Sequence, residues 1–109
     1  MVRQMDESKI FKLLELASQT GKVSKGTNET TKAIERNVAK VVVFAKDVNP
    51  PEIVMHLKPL CEEKDIPCFE VQSKKDIGKA VGISVDCAAA AITDFGEGAE
   101  IAKEIEKEK

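Results

Sequence analysis

The sequence predicts an α/β fold, a three-layer α/β/α sandwich around a small, mixed, four-stranded sheet. Segments with strand character alternate along the chain with segments of helical periodicity. Ala39–Ala45 is predicted to be a strand because Val41–Phe44 is a continuous run of β-branched and aromatic residues, which is typical of a strand buried on both faces. The 109 residues are the size of one compact domain, so we expect a single domain over residues 1–109.

Turn and capping residues divide the chain into nine elements. Gly21 ends the first helix, Pro50 and Pro51 suit the first turn of the third, and Gly78 and Gly82 frame the end of the fourth. We expect residues 1–5 to be loosely ordered. The predicted elements are a helix from a cap at Asp6 or Ser8 to about Thr20, a strand Lys22–Lys25, a helix capped by Thr27, a strand Ala39–Ala45, a helix from Pro51 to about Lys64, a strand Pro67–Val71, a short helix from Ser73, a strand Cys87–Thr93 and a helix Ala99–Lys107.

Composition restricts the class of protein. Hydrophobic residues make up 42% and charged residues 33% of the chain, which is typical of a soluble globular domain. The longest apolar runs, Val41–Ala45 and Cys87–Ile92, are too short to span a bilayer. The N-terminus lacks the pattern of a secretion signal. We therefore expect a cytoplasmic protein with no membrane partner.

The sequence offers little for catalysis or metal binding. Three cysteines, at 61, 68 and 87, form neither a disulfide framework nor a zinc pattern, and we expect them to be small buried side chains in a reducing cytosol. His56 is the only histidine, and its apolar neighbours favour a packing or surface role. Glu62 and Glu63 are adjacent, so on a helix they point apart. We predict no enzyme activity, no cofactor and no metal.

The net charge of −2 hides a gradient along the chain. Residues 22–46 contain six Lys or Arg and two Glu, a balance of +4. Residues 47–70 contain six acidic residues and two Lys, a balance of −4. This segregation predicts one basic face on an acidic body, although scattered solvated charge remains an alternative.

A polar cluster at the start of the second helix is the main candidate for binding chemistry. Asn28, Glu29 and Lys32 lie three and four residues apart and therefore share one face near the helix N-terminus. An ammonium can donate to guanine O6 and N7, a carboxylate can accept from a base amino group, and an amide can do both. Lys25 and Arg36 could hold phosphates. A capped, hydrated helix start explains the same residues equally well.

The second candidate is the apolar loop Ile83–Cys87. Such a loop can pack into the core, or it can support an unstacked RNA base. Ile53, early in the third helix, could line the same pocket. Chemistry alone favours ordinary packing for this loop.

At these residues the chain resembles a known family. The string K-G-T-N-E-T-T-K-A, residues 25–33, resembles the signature of the L-seven-Ae family of kink-turn RNA-binding proteins. Further matches are V-x-P-P-E at the third helix, L-C-E-E-K-D-I-P-C, S-K-K-D-I-G-K-A-V-G and the final small-residue strand. The short chain is most similar to archaeal members.

The resemblance implies an α/β/α sandwich that binds kink-turns and kink-loops, RNAs in which tandem sheared G·A pairs flank an extruded base. It implies roles for Gly26 in close backbone approach and for Asn28, Glu29 and Lys32 in guanine recognition. The remaining implied contacts are Lys25, Arg36 and Lys74 to the backbone, and Ile53, Ile83, Val85, Asp86, Cys87 and Ala88 around the extruded base. Relatives act in the large ribosomal subunit, in box C/D and H/ACA guide particles and in RNase P.

Two residues depart from the family pattern. Asn49 stands where several members have an acid or a lysine, and Asp86 places a carboxylate in a loop that is otherwise apolar or basic. The implied partners are structured RNA and other proteins of ribosomal or guide-RNA particles, with a monomer when no RNA is bound. The alternative is a small α/β protein-interaction module without specific RNA recognition.

Overall fold

The structure, a computed structural model, describes residues 7–47, 55–101 and 103. In these ranges helices and strands alternate as predicted. The helices are α1 (Glu7–Thr20), α2 (Thr27–Glu35), α3 (Leu57–Glu63) and α4 (Lys74–Ala80), and the strands are β1 (Lys22–Lys25), β2 (Val41–Ala45), β3 (Cys68–Val71) and β4 (Ala89–Asp94). A 3₁₀ turn, Gly96–Gly98, leads into helical residues 99–101.

The four strands form one mixed sheet in the order β1-β4-β2-β3. β2 pairs with β3 in parallel, whereas β4 pairs antiparallel with both β1 and β2. The predicted four-stranded mixed sheet is therefore confirmed. β2 is buried at all five positions because helices cover both faces of the sheet. β4, at the centre, begins Ala-Ala-Ala, and these small side chains allow the helices to pack closely.

Helices form the outer two layers. α1 packs against α4 on one face, and both contact β4. The Ser18 hydroxyl of α1 donates to the Val81 carbonyl at 2.8 Å, just beyond α4. α2 packs against α3 and contacts β1 and β4. The core combines one apolar face of α1 with residues from the other elements. Its largest fully buried residues are Phe69, Ile10, Leu13, Leu14, Ile34, Leu57, Ile77 and Ile92. This is the predicted α/β/α sandwich.

Several element boundaries differ from the prediction. β2 begins at Val41 rather than Ala39, because the Ala39 N–H donates to the Ala33 carbonyl and closes the end of α2. β4 begins at Ala89 rather than Cys87. Gly78 is buried inside α4 and does not frame its end. The predicted start of the third helix and the loose lead at residues 1–5 lie outside the described residues, as do Asp6 and most of the last helix. None of the described helices is long and apolar enough to cross a bilayer.

Candidate nucleic-acid interface

Strand pairing brings four chain segments to one end of the sheet. β2 and β3 are parallel, so their last residues, Ala45 and Val71, lie at the same end. β4 is antiparallel to β1 and β2, which brings the last residue of β1, Lys25, and the first residue of β4, Ala89, to that end as well. We call this the site end of the sheet. Both stretches that the sequence singled out, the start of α2 and the loop before β4, are attached to it.

Gly26 joins β1 to α2 at the site end. Its N–H donates to the Ala89 carbonyl at 2.8 Å, and its carbonyl accepts from the Thr30 N–H at 2.9 Å. Its φ of +94° is a conformation that side chains rarely adopt. A Cβ at this position would meet nothing within 4 Å, so the backbone faces open space that a partner can enter.

The predicted N-cap, Thr27, is wrong. Thr27 is the first helical residue of α2, and Gly26 is the N-cap with no side-chain hydrogen bond to the helix. The reason is that the Gly26 N–H continues the β1–β4 pairing to Ala89 while the Gly26 carbonyl already accepts from the Thr30 N–H, so the helix begins one residue earlier than predicted. Because no side chain caps α2, the N–H groups of its first turn are donors without an intrahelical acceptor.

The polar face of α2 points away from the core. Asn28, Glu29 and Lys32 are all exposed, whereas Ala33 and Ile34 on the other side of the helix are buried. The Lys32 ammonium lies 3.7 Å from a Glu29 carboxylate oxygen, and the two side chains are 56% and 60% exposed. Such an exposed pair is weak and salt-screened, so both groups can turn to a ligand at small cost. The three groups predicted to recognise guanine are thus placed together.

The loop of residues 83–88 divides into exposed and buried parts. Val85 is 65% exposed, and Asp86 is exposed beside it. Ile83 is half-buried and packs against the core. Ala88 is also half-buried, and its carbonyl accepts from the Ala45 N–H at 2.9 Å. The loop therefore presents Val85 and Asp86 to a ligand and uses its ends to attach to the sheet.

Cys87 connects this loop to the other segments at the site end. Its side chain is only 3% exposed, and its thiol donates to the Ala89 carbonyl at 2.9 Å. Burial raises the pKa of the Cys87 thiol. The thiol is therefore a neutral internal group. Any contact that Cys87 makes with RNA has to come from its backbone.

Lys74, the first residue of α4, is held at the site end of the sheet by two hydrogen bonds. Its N–H donates to a carboxylate oxygen of Asp47 at 2.9 Å. Its carbonyl accepts from the Cys87 N–H at 3.0 Å. Asp47 was not predicted as a site residue. The sequence shows an acidic residue directly after a buried strand, which is a weak sign of a role at the site. It does not show that the hydrogen-bond partner of Asp47 is Lys74, 27 residues away.

Gly78 positions the exposed part of the loop. A Cβ at Gly78 would collide with the Val85 carbonyl oxygen, so only glycine lets the loop lie against α4. The Ile83 N–H donates to the Gly78 carbonyl at 3.0 Å. Beside this contact is an open cavity of about 240 Å³, lined by Lys75, Lys79, Ile83, Ser84, Val85 and Asp86. A glycine among good helix formers was the sequence signal for this contact.

The other predicted site residues lie outside this cluster or outside the described ranges. Arg36 follows the last residue of α2 and is exposed, about 12 Å along the helix axis from Asn28 at 1.5 Å per residue. It shares the helix with the polar face but not the site end. Ile53 and Asn49 lie outside the described residues.

His56 has a structural role in the described part of the chain. The Thr31 hydroxyl donates to the Thr27 carbonyl at 2.8 Å, and it lies 2.9 Å from His56 Nε2. A hydroxyl has one hydrogen, so His56 Nε2 must be the donor in the second contact. The histidine thereby links α3 to α2. Among the described residues no group of three or more His, Cys, Asp or Glu side chains could hold a metal ion.

Comparison with known proteins identifies the fold and the family of the chain. A solved structure of the Giardia lamblia 15.5kD RNA binding protein superposes with a TM-score of 0.85 at 29% sequence identity, covering 95% of this chain and 88% of that one. The sequence model of the ribosomal protein L7Ae/L30e/S12e/Gadd45 family matches residues 8–102. The match covers most of the chain, so the protein belongs to the ribosomal protein L7Ae/L30e/S12e/Gadd45 family.

Proposed function

We propose that this protein is a non-catalytic RNA-binding protein that recognises kink-turn and kink-loop motifs. The observation that supports it best is the meeting of two surfaces at the site end of the sheet. One is the exposed face of Asn28, Glu29 and Lys32 beside the open backbone of Gly26. The other is the loop that presents Val85. Family membership and the RNA-binding structural neighbour support the same class of ligand.

The two surfaces suit the two unusual features of a kink-turn. The polar face of α2 would contact the guanines of the sheared G·A pairs, whose O6 and N7 are acceptors for Lys32 and whose amino groups are donors to Glu29. Ile83, Val85 and Ala88, with Ile53, would enclose the extruded base by apolar contact. Lys25, Arg36 and Lys74 would contact phosphates and fix the register.

Binding of this kind stabilises the bent form of the RNA. A protein that contacts the bent form but not the extended form shifts the RNA population toward the bend. The bent RNA then serves as an assembly platform for other proteins. We propose ribosomal RNA, box C/D and H/ACA guide RNAs and RNase P RNA as targets, and the cytoplasm as the location.

Alanine substitutions on the polar face test the proposal. Asn28→Ala, Glu29→Ala and Lys32→Ala should each weaken kink-turn binding by about 1–3 kcal/mol, because each removes a base contact. Their free energies of unfolding should stay within about 0.5 kcal/mol of the parent value, because all three side chains are exposed. Fluorescence anisotropy with a labelled kink-turn RNA gives the affinity, and urea denaturation gives the stability.

A matched control lies on α1, in the other helical layer. Lys12 and Glu15 are exposed, three residues apart and of the same charge types as Lys32 and Glu29. The double variant Lys12→Ala/Glu15→Ala should keep kink-turn affinity. A second control replaces the sheared G·A pairs of the RNA by Watson–Crick pairs, which should remove most of the difference between parent and variants. Equal affinities of the α2 and α1 variants would contradict the proposal.

A further inference from the structure

Cys61 and Cys68 form a thiol pair that the proposed RNA surface does not use. Cys61 lies in the last turn of α3 and is fully buried. Cys68 is the first residue of β3 and is partly exposed. Both are free thiols, and the two side chains lie next to each other as hydrogen-bond partners. A pair in contact is chemically different from the isolated thiol of Cys87.

The turn between α3 and β3 fixes the approach of the two thiols. The Ile66 N–H donates to the Cys61 carbonyl at 2.8 Å, and Asp65 has a φ of +59°, which reverses the chain. β3 then continues beside β2, with Cys68 opposite Val42. Because both ends of this short turn are held by backbone hydrogen bonds, the two cysteines stay adjacent in the folded protein.

The pair lies at the end of the sheet opposite the start of α2 and the loop of residues 83–88, which are the parts of the surface proposed to contact bases. β3 is parallel to β2, so its first residue, Cys68, is at the end of the sheet opposite the site end. A strand of four residues spans roughly 10 Å at about 3.3 Å per residue. A covalent change at the pair should therefore affect the stability of the α3–β3 unit without changing the RNA surface.

The two thiols differ in accessibility. Cys68 is partly exposed, so its sulfur can meet a small molecule from solvent. Cys61 is fully buried, so its sulfur can react only with a group that is already inside the protein. Its hydrogen-bond partner there is Cys68. This is the arrangement in which an internal thiolate can displace a leaving group from its neighbour.

We propose that Cys61 and Cys68 are a redox modification site that closes to an intramolecular disulfide by exchange with a small disulfide such as glutathione disulfide. The partly exposed Cys68 first attacks the small disulfide, forming a mixed disulfide and releasing one glutathione. The Cys61 thiolate then attacks the Cys68 sulfur, forms the internal S–S bond and releases the second glutathione. The two cysteine thiols are oxidised, the glutathione disulfide is reduced to two thiols, and the cysteine protons pass to the glutathione thiolates.

Peptide mapping tests this directly, because trypsin cleaves after Lys64, between the two cysteines. The full-length native protein is equilibrated in reduced and oxidised glutathione, and its remaining thiols are then alkylated. Digestion should yield peptide 47–64 linked by a disulfide to peptide 65–74, while Cys87 is alkylated in peptide 80–103. The linked peptide should disappear after treatment with dithiothreitol. Cys68→Ser, which disturbs the core less than a change at the fully buried Cys61, should give no linked peptide. Cys87→Ala should still give the linked peptide.

The same equilibration in denaturing urea shows whether the fold brings the thiols together. The equilibrium constant for closing the disulfide should be roughly tenfold or more higher in native buffer than in urea, because the folded protein holds the pair in contact. The oxidised protein should then unfold at a higher urea concentration than the reduced protein, with unchanged kink-turn affinity. An equal or lower constant in native buffer, linkage to Cys87, or linkage only between chains would overturn the proposal.

Discussion

The two parts of the candidate RNA surface are built in different ways. The start of α2 gathers its functional groups locally, since Asn28, Glu29 and Lys32 follow one another on a helix that the core holds from its other side. The loop of residues 83–88 depends on residues distant in sequence. Asp47 accepts a hydrogen bond from Lys74, whose carbonyl in turn accepts from the Cys87 N–H, and Gly78 lies against the Val85 carbonyl. Changes on α2 should therefore alter binding alone, whereas changes that support the loop should alter stability as well.

Gly26 is where the two parts meet, and its substitution should have the largest effect. In Gly26→Ala the positive φ becomes strained, which we expect to lower the free energy of unfolding by about 1–3 kcal/mol. The added Cβ would also enter the open space where RNA approaches. Kink-turn affinity should therefore fall tenfold or more, which is roughly 1.4 kcal/mol or more of binding free energy. Urea denaturation and fluorescence anisotropy measure the two effects.

Asn37→Ala is the matched control for backbone strain. Asn37 has a φ of +60° and lies beyond the other end of α2, away from the site end. Its substitution should lower stability by a similar amount while leaving RNA affinity unchanged. If Gly26→Ala and Asn37→Ala bind RNA equally well, close approach at Gly26 has no part in recognition.

Gly78 tests the loop separately from α2. In Gly78→Ala the new methyl group collides with the Val85 carbonyl, so the loop must move and stability should fall by about 1–3 kcal/mol. Loss of RNA affinity should be confined to the extruded nucleotide. An RNA that is abasic at that position should therefore bind parent and Gly78→Ala with nearly equal affinity.

A double-mutant cycle measures the coupling free energy between Gly78 and the extruded base. One change is Gly78→Ala and the other is removal of the base from the RNA. The same cycle is measured for Lys32→Ala. We expect coupling for Gly78 and little for Lys32, because the polar face of α2 contacts the guanines instead. The reverse pattern would show that the two surfaces have been assigned to the wrong parts of the RNA.

Asp47 should have a smaller effect, because it supports the loop through one hydrogen bond. Asp47→Ala removes the acceptor of the Lys74 N–H at the start of α4, which should lower stability by about 1 kcal/mol. Asp47→Asn keeps an oxygen acceptor and should restore most of that loss. Thermal denaturation of the three proteins checks both expectations, and equal losses for Ala and Asn would mean that the hydrogen bond is not the cause.

The same division between local and distant contacts explains what the sequence could predict. The buried strand β2 and the polar face of α2 depend on residues close in sequence, and both were predicted correctly. The sequence favours Thr27 as the N-cap because threonine is a preferred capping residue, but glycine can also occupy this position. Only the hydrogen bond from Gly26 to Ala89, 63 residues further along the chain, decides between them.

Errors at the loop have the same origin. Cys87 was placed in a strand because small apolar residues follow it, but its N–H donates to Lys74 instead of to a neighbouring strand. The contact between Cys61 and Cys68 was also invisible in the sequence, since a spacing of seven residues matches no cysteine motif. It exists because a tight turn returns the chain from α3 into the sheet.

Asp86→Ala should change kink-turn affinity least, and the sign of the change shows which part of the RNA the loop of residues 83–88 contacts. Its exposed carboxylate lies beside Val85, next to Lys75 and Lys79 along the cavity. If phosphates pass close to the loop, Asp86→Ala should raise kink-turn affinity about two- to fivefold at low salt and less at high salt, because exposed charges are screened. If Asp86 instead accepts a hydrogen bond from the extruded base, the variant should lose affinity only for bases with an amino group.

Anisotropy titrations with cytosine or uracil at the extruded position, each at two salt concentrations, separate these outcomes. An effect independent of both salt and base would mean that the loop lies away from the RNA and that recognition rests on α2.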